Sequence, residues 1–229
     1  MPMPTLEMLT QRAAAYAKQR AARAAILKPV QPEEQTTAQK LILPMNQCRV
    51  TAAYKNAAYL GHYGFHHYGI DYGNKESPPY VWGIGRGKVM AAGLDSLFGN
   101  TVVIVYPNVY IHHTGKTQDL TVRCYHLKCC LVKPGDTVTT ATRIGIMGNT
   151  GKYGNSPHLH IEMDTDTQYP CYTPGIAKDG AIIERGVDTT INPSWVLHCK
   201  VSSPDNQQIY NWGYEGWNSR DDWNIPIIR

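Results

Sequence analysis

The chain has 229 residues, a formal net charge of +4, and a composition that is 42% hydrophobic and 17% charged. That length holds one sizeable core with appendages rather than two ordinary domains, and the composition excludes a disordered chain. Arg12, Lys18, Arg20, Arg23 and Lys28 against Glu7 account for the whole net charge, so the remaining body is neutral and gives no reason to expect a nucleic-acid partner.

In chain order, residues 5–27 read as an amphipathic helix. Leu6, Leu9, Ala13, Tyr16 and Ala17 recur at helical spacing with Lys and Arg between them. The arm is a candidate for docking on a partner or on an anionic wall or membrane surface, and equally for a solvated helix packed on its own domain. Its basic residues interrupt any long apolar run, so neither an integral membrane segment nor a standard secretory signal is expected. Residues 28–40, KPVQPEEQTTAQK, are polar with two prolines and read as a linker. The body begins near Leu41.

From about 48 to 200 the pattern is short strands and turns. RVTAAY at 49–54, KVMAA at 88–92, TVVIVY at 101–106, DLTVRCYHL at 119–127, RIGIMG at 143–148 and HLHIEM at 158–163 are strand-like, and ESPP, GIGRG, KPGD and GNTGKYGNSP separate them. No helical stretch of comparable strength lies between, so the expectation is a mainly β protein, an antiparallel β-sheet domain, with the N-terminal helical arm attached. Residues 192–229 are an aromatic tail holding Trp195, Trp212, Trp217 and Trp223, read as a cover packed over the sheet rather than a wall of a binding groove. The divisions are 1–40 arm and linker, 41–200 domain, and 201–229 tail. The six cysteines include Cys124, Cys129 and Cys130, a spacing weighed as a second metal site. No CxxC pair exists, so buried free thiols are expected instead.

The histidines carry the chemistry. In GHYGFHHYGID, His67 and Asp71 stand four apart, a neutral imidazole and a carboxylate that suit a borderline-soft dication. In SPHLHIEM, period-two alternation puts His158, His160 and Glu162 on one face and Leu159, Ile161 and Met163 on the other. Two imidazoles on one face can share a metal, or one can bind while the other works on substrate. His126 ends a third strand, in CYHLK. No HExxH glutamate is present, so proton transfer falls to histidine.

Together these segments resemble the lysostaphin/LytM-type zinc metalloendopeptidases. HYGID at 67–71 is similar to that family's first metal motif, CYHLK at 124–128 to its catalytic-histidine strand, and SPHLHIEM at 156–163 to its second metal motif, with 78–93, 98–104, 132–138 and 143–151 following the strands and turns between, over about 49–165. The resemblance implies an open groove on the β domain, one Zn²⁺ held by His67, Asp71 and His160, and His126 and His158 as the catalytic pair. It implies hydrolysis of peptide cross-links in bacterial peptidoglycan. One histidine would take the proton of the attacking water and the other would face the developing oxyanion, in an order that spacing does not assign. Glu162 is expected to orient a ligand from behind, and Tyr59 or Tyr63 to assist. His62, His66, His112, His113 and His198 are expected to stand outside the site. The segment 106–120 is longer than the family pattern and is expected to border the groove. A latent or non-enzymatic scaffold of the same fold, or a phage structural component, is the competing reading. A wall-acting chain without a standard signal would be phage- or prophage-encoded, otherwise exported, or trimmed of its signal.

Overall fold

The computed structural model describes residues 37–171, 188–197 and 217–220. The 5–27 helix, most of the linker, His198, and all of the aromatic tail except 192–197 and 217–220 lie outside the described residues. No described helix is long and apolar enough to cross a membrane.

The described residues form antiparallel sheets, as the alternating sequence requires. The strands are β1 (Gln47–Ala52), β2 (Gly69–Gly73), β3 (Tyr80–Trp82), β4 (Gly87–Asp95), β5 (Gly99–Ile111), β6 (Lys116–Leu127), β7 (Cys129–Cys130), β8 (Thr137–Val138), β9 (Arg143–Ile146), β10 (Leu159–Asp164), β11 (Thr190–Ile191) and β12 (Asn218–Ser219). The larger sheet runs β12-β1-β2-β10-β6-β5-β4-β8, with β11 also on β10, and β3-β9-β7 make a second sheet. All six strands expected from the sequence are present. Together with β2, which the sequence did not mark as a strand, they send inward residues, among them Val50, Ile70, Tyr72, Val102, Ile104, Val122, Leu159, Ile161 and Met163, into one buried cluster. Each large apolar side chain fully buried there contributes about 1.5–3 kcal/mol.

One helix, α1 (Ala57–Tyr63), was not expected. Asn56 caps its start by accepting from the Tyr59 N–H, and the Gly64 N–H returns to the Leu60 carbonyl. It buries none of its residues, so it carries no apolar periodicity to read.

The long 106–120 segment does not border the groove. It continues β5 and β6 outward as a hairpin to the Ile111–Lys116 pair, the end of β6 opposite His126. There His113 stacks on Trp195, at 4.2 Å, in a short 3-10 helix Pro193–Trp195. Trp217 takes the Lys75 ammonium on its ring face at 4.3 Å, next to β12, which extends the sheet beyond β1. Cys124, Cys129 and Cys130 are free thiols. Cys124 is buried and pushed up to about 12 by that burial, while the other two are half-buried.

Candidate metal and catalytic site

Strand pairing brings the two histidine motifs together. β2 and β10 run antiparallel with Asp71 opposite His160 and Gly69 opposite Glu162. Ile70 and Tyr72 point into the core on one side of β2, so Asp71 points to the other, where β10 presents His160. His67, just before β2, completes a trio. Its Nε2 lies 3.1 Å from Asp71 Oδ1 and 3.0 Å from His160 Nδ1, and His160 Nδ1 lies 2.9 Å from Asp71 Oδ1. Gly69 permits this approach: a β-carbon there would stand 2.6 Å from His160 Nε2 and would also meet the Ile161 carbonyl.

Hydrogen bonding sets the tautomers. His67 Nδ1–H donates to the Ala53 carbonyl at 2.9 Å, which leaves Nε2 of the neutral ring with a lone pair aimed at the Asp71 carboxylate. Two acceptors at that distance repel unless a proton or a cation lies between them. The donor set, two imidazole nitrogens and one carboxylate oxygen converging on one point, fits zinc with a further coordination position left over. Ring contacts hold the trio. Tyr59 stacks on His67 at 4.5 Å, and Tyr125 lies between Phe98, at 4.3 Å, and His160, at 5.4 Å.

Charge in the cluster is uneven. Burial pulls the His67 imidazole down, but the Asp71 carboxylate outweighs it, and the net direction is up. His160 is pushed down to about 4, chiefly by burial, with Asp71 opposing. Burial raises Asp71, yet the charge of His67 and the hydrogen bonds from His160 and His67 outweigh that and hold the carboxyl well below the usual range.

Two more imidazoles face this point across a solvent-open cleft of about 770 Å³, lined also by Tyr59, Tyr63, Tyr153 and Asn155. His158 Nδ1–H donates to the Ser156 carbonyl at 2.7 Å, and its Nε2 stands 3.8 Å from Asp71 Oδ1. His126 Nδ1–H donates to the Thr150 carbonyl at 2.9 Å. In its neutral form each ring thus keeps a lone pair at Nε2. The ring centroids of His126 and His158 are 4.7 Å apart. Burial and the neighbouring His158 hold His126 below the ordinary imidazole range.

His126 reaches the cleft because β6 is bulged. Asn100 pairs with Leu127 and Val102 with Cys124, so Tyr125 and His126 together oppose Thr101. His126 takes φ +62°, a conformation that β-carbon sterics disfavour and that is stored at such sites at about 1–3 kcal/mol. Strict alternation would have sent its ring to the core side with Cys124. The bulge turns it to the side of Tyr125.

The structure thus brings together His67, Asp71, His160, His126 and His158, with Tyr59 and Tyr63 in the same cleft wall. His62 is exposed on α1, His112 and His113 sit on the distant hairpin, and His66 is exposed at the rim beside Tyr68. Glu162 lines a recess next to His67 and His160, and its charge helps raise His67. Its carboxylate is engaged by Arg123, directly opposite on β6. Arg123 escaped the sequence reading. It is fully buried, gives Nη2 to Asp164 at 2.8 Å and Nε to the Pro170 carbonyl at 2.6 Å, and its signal was a lone arginine on the polar face of an otherwise apolar strand.

Residues 65–170 match the sequence model of peptidase family M23. That segment is similar to M23 peptidases. An uncharacterized metalloprotease of Buchnera aphidicola is 36% identical to this chain over 97 residues, covering 42% of this chain and 23% of its own. The peptidoglycan DD-endopeptidase ShyA of Vibrio cholerae is likewise 36% identical over 97 residues, covering 42% and 20%. The chain therefore aligns with about a fifth of the length of these curated relatives. Among solved structures, the catalytic domain of lysostaphin from Staphylococcus simulans is 25% identical, covers 65% of this chain and 89% of its own, and superposes with a TM-score of 0.41.

Proposed function

We propose that this domain hydrolyses peptide bonds in the cross-links of bacterial peptidoglycan, with one zinc ion held by His67, Asp71 and His160, and with His126 and His158 as its catalytic pair. The observation that carries the reading is the convergence of three lone-pair donors at 2.9–3.1 Å with two further imidazoles, both tautomerically fixed, facing the same point. The peptidoglycan assignment rests on the M23 match and on relatives that bear that activity in their names. Bound there, zinc supplies Lewis acidity toward a carbonyl oxygen and a water. The chain's own residues do the rest. His126 and His158 present Nε2 lone pairs to the cleft, so one can accept the water's proton. That proton then passes from the same ring to the leaving amine, while the other ring, as an imidazolium, can hydrogen-bond to the developing oxyanion and keep its own proton. Tyr59, Tyr63 and Tyr153 give the cleft an aromatic wall along which an extended peptide can lie.

The test is mass spectrometry of products after zinc-loaded protein meets purified peptidoglycan of several cross-bridge types. New muropeptides with the native chain, absent with His126→Ala, are expected. Their masses name the bond. A zinc-containing protein that yields no product from any wall type rules the proposal out.

A further inference from the structure

The catalytic pair is supported by a residue that neither the metal motifs nor the histidine pattern pointed to. Thr150 makes four hydrogen bonds around the β6 bulge. Its carbonyl accepts from His126 Nδ1–H at 2.9 Å, and its N–H donates to the His126 carbonyl at 3.4 Å. Its hydroxyl donates to the Leu127 carbonyl at 2.6 Å and accepts from the Asn100 N–H at 2.9 Å. Asn100 and Leu127 are the pair that brackets the bulge. The hydroxyl therefore fills the rung that the bulge opens between β5 and β6, while the backbone of the same residue grips His126 from two sides. A β-branched side chain is stiff at χ1, so the hydroxyl and the carbonyl are held in fixed relation.

Thr150 also belongs to the loop that delivers the partner imidazole. Gly148 and His158 pair by a bridge, the His158 N–H donating to the Gly148 carbonyl at 3.0 Å, so residues 148–158 form one loop pinched at its base. Thr150 stands on one limb and His158 ends the other. Gly99, at φ +72°, lies against Thr150 so closely that any β-carbon there would overlap the Thr150 backbone and hydroxyl. The loop is thus keyed into the β4–β5 turn, whose Phe98 carbonyl accepts the His126 N–H at 2.9 Å.

We propose that Thr150 is a positioning residue. It fixes the His126 ring in the Nδ1–H tautomer and sets its 4.7 Å separation from His158. This rests on the reading of His126 and His158 as the working pair, but its primary readout does not. In the full chain with zinc added, two-bond proton–nitrogen spectra of labelled histidine at mildly alkaline pH, where imidazole is neutral, report which nitrogen carries the proton. The native chain and Thr150→Ser are expected to show His126 protonated at Nδ1 with a bare Nε2. Thr150→Val keeps the shape and removes the hydroxyl, and is expected to show mixed tautomers. Its kcat on peptidoglycan should fall by about 10- to 100-fold, part of the about 10²–10⁴ that a placed acid–base group contributes, with KM and zinc content unchanged. A native ring protonated at Nε2, or a folded Thr150→Val with the native tautomer, overturns the inference. Where circular dichroism shows Thr150→Val unfolded, Thr150→Ala takes its place, with the same expected and overturning results. A tautomer series as expected, with no hydrolysis by any variant, leaves the positioning intact and defeats the peptidoglycan reading instead.

Discussion

At the scale of single residues, the site depends on a side chain that is missing. Gly69 faces Glu162 across the β2–β10 ladder, and the space its absent β-carbon leaves is taken by the His160 imidazole. Gly69→Ala should therefore displace His160 from His67 and Asp71, at a cost of about 1–3 kcal/mol in overpacking. Urea denaturation reads the stability loss, and zinc bound per chain reads the displacement. Native stability with full zinc content would refute the steric argument. The neighbouring exposed imidazole supplies the control, since His66→Ala removes nothing from the trio. His67, Asp71 and His160 were recognisable in the sequence because their motifs are short and their residue types few. The bulge at His126 was not. Period-two reasoning sends that ring to the core, and a positive φ on a histidine has no compositional signature.

At the scale of elements, β6 and β10 carry an unusual load. Their pairing sets Arg123 against Glu162 directly under the trio, with Asp164 and the Pro170 carbonyl closing the guanidinium's remaining directions. A buried pair of this kind is weak evidence of net stabilisation, but breaking it leaves charge without compensation. Arg123→Met is therefore expected to cost about 3–5 kcal/mol, measured by chemical denaturation. Replacing Glu162 and Asp164 by their amides in the same background should recover much of that loss, and no recovery would show that packing rather than charge is responsible. The sequence made the long, alternating strands plain, because each presents a continuous apolar face to one core. The two-residue strands β7, β8, β11 and β12 and the seven-residue α1 are too short to show a period, and they exist through tertiary contacts and end caps. The long 106–120 segment was legible as an insertion but not as a hairpin, and Trp195, which meets its tip at His113, lies far along the chain.

For the molecule as a whole, the site joins segments that are distant in sequence. His67 and Asp71 come from the start of the domain, while His158 and His160 come from near its end, with His126 between. Anything that ties the trio together acts against unfolding of the entire sheet, because β2 and β10 cannot separate while both hold the same ion. Binding to the folded state stabilises it by RT ln(1 + [L]/Kd), about 4 kcal/mol at a thousandfold excess over Kd. For a chain of this size each kcal/mol moves the melting temperature by about 2–4 °C, so zinc at that excess should raise it by about 8–16 °C. His126→Ala leaves the donor trio whole and should show the same rise. Asp71→Asn removes the one charged donor and should show little or none. The contrast between these two variants separates binding from catalysis without any substrate. A zinc-dependent rise that survives Asp71→Asn would place the ion elsewhere. A rise lost in His126→Ala would make that imidazole a ligand rather than a proton carrier.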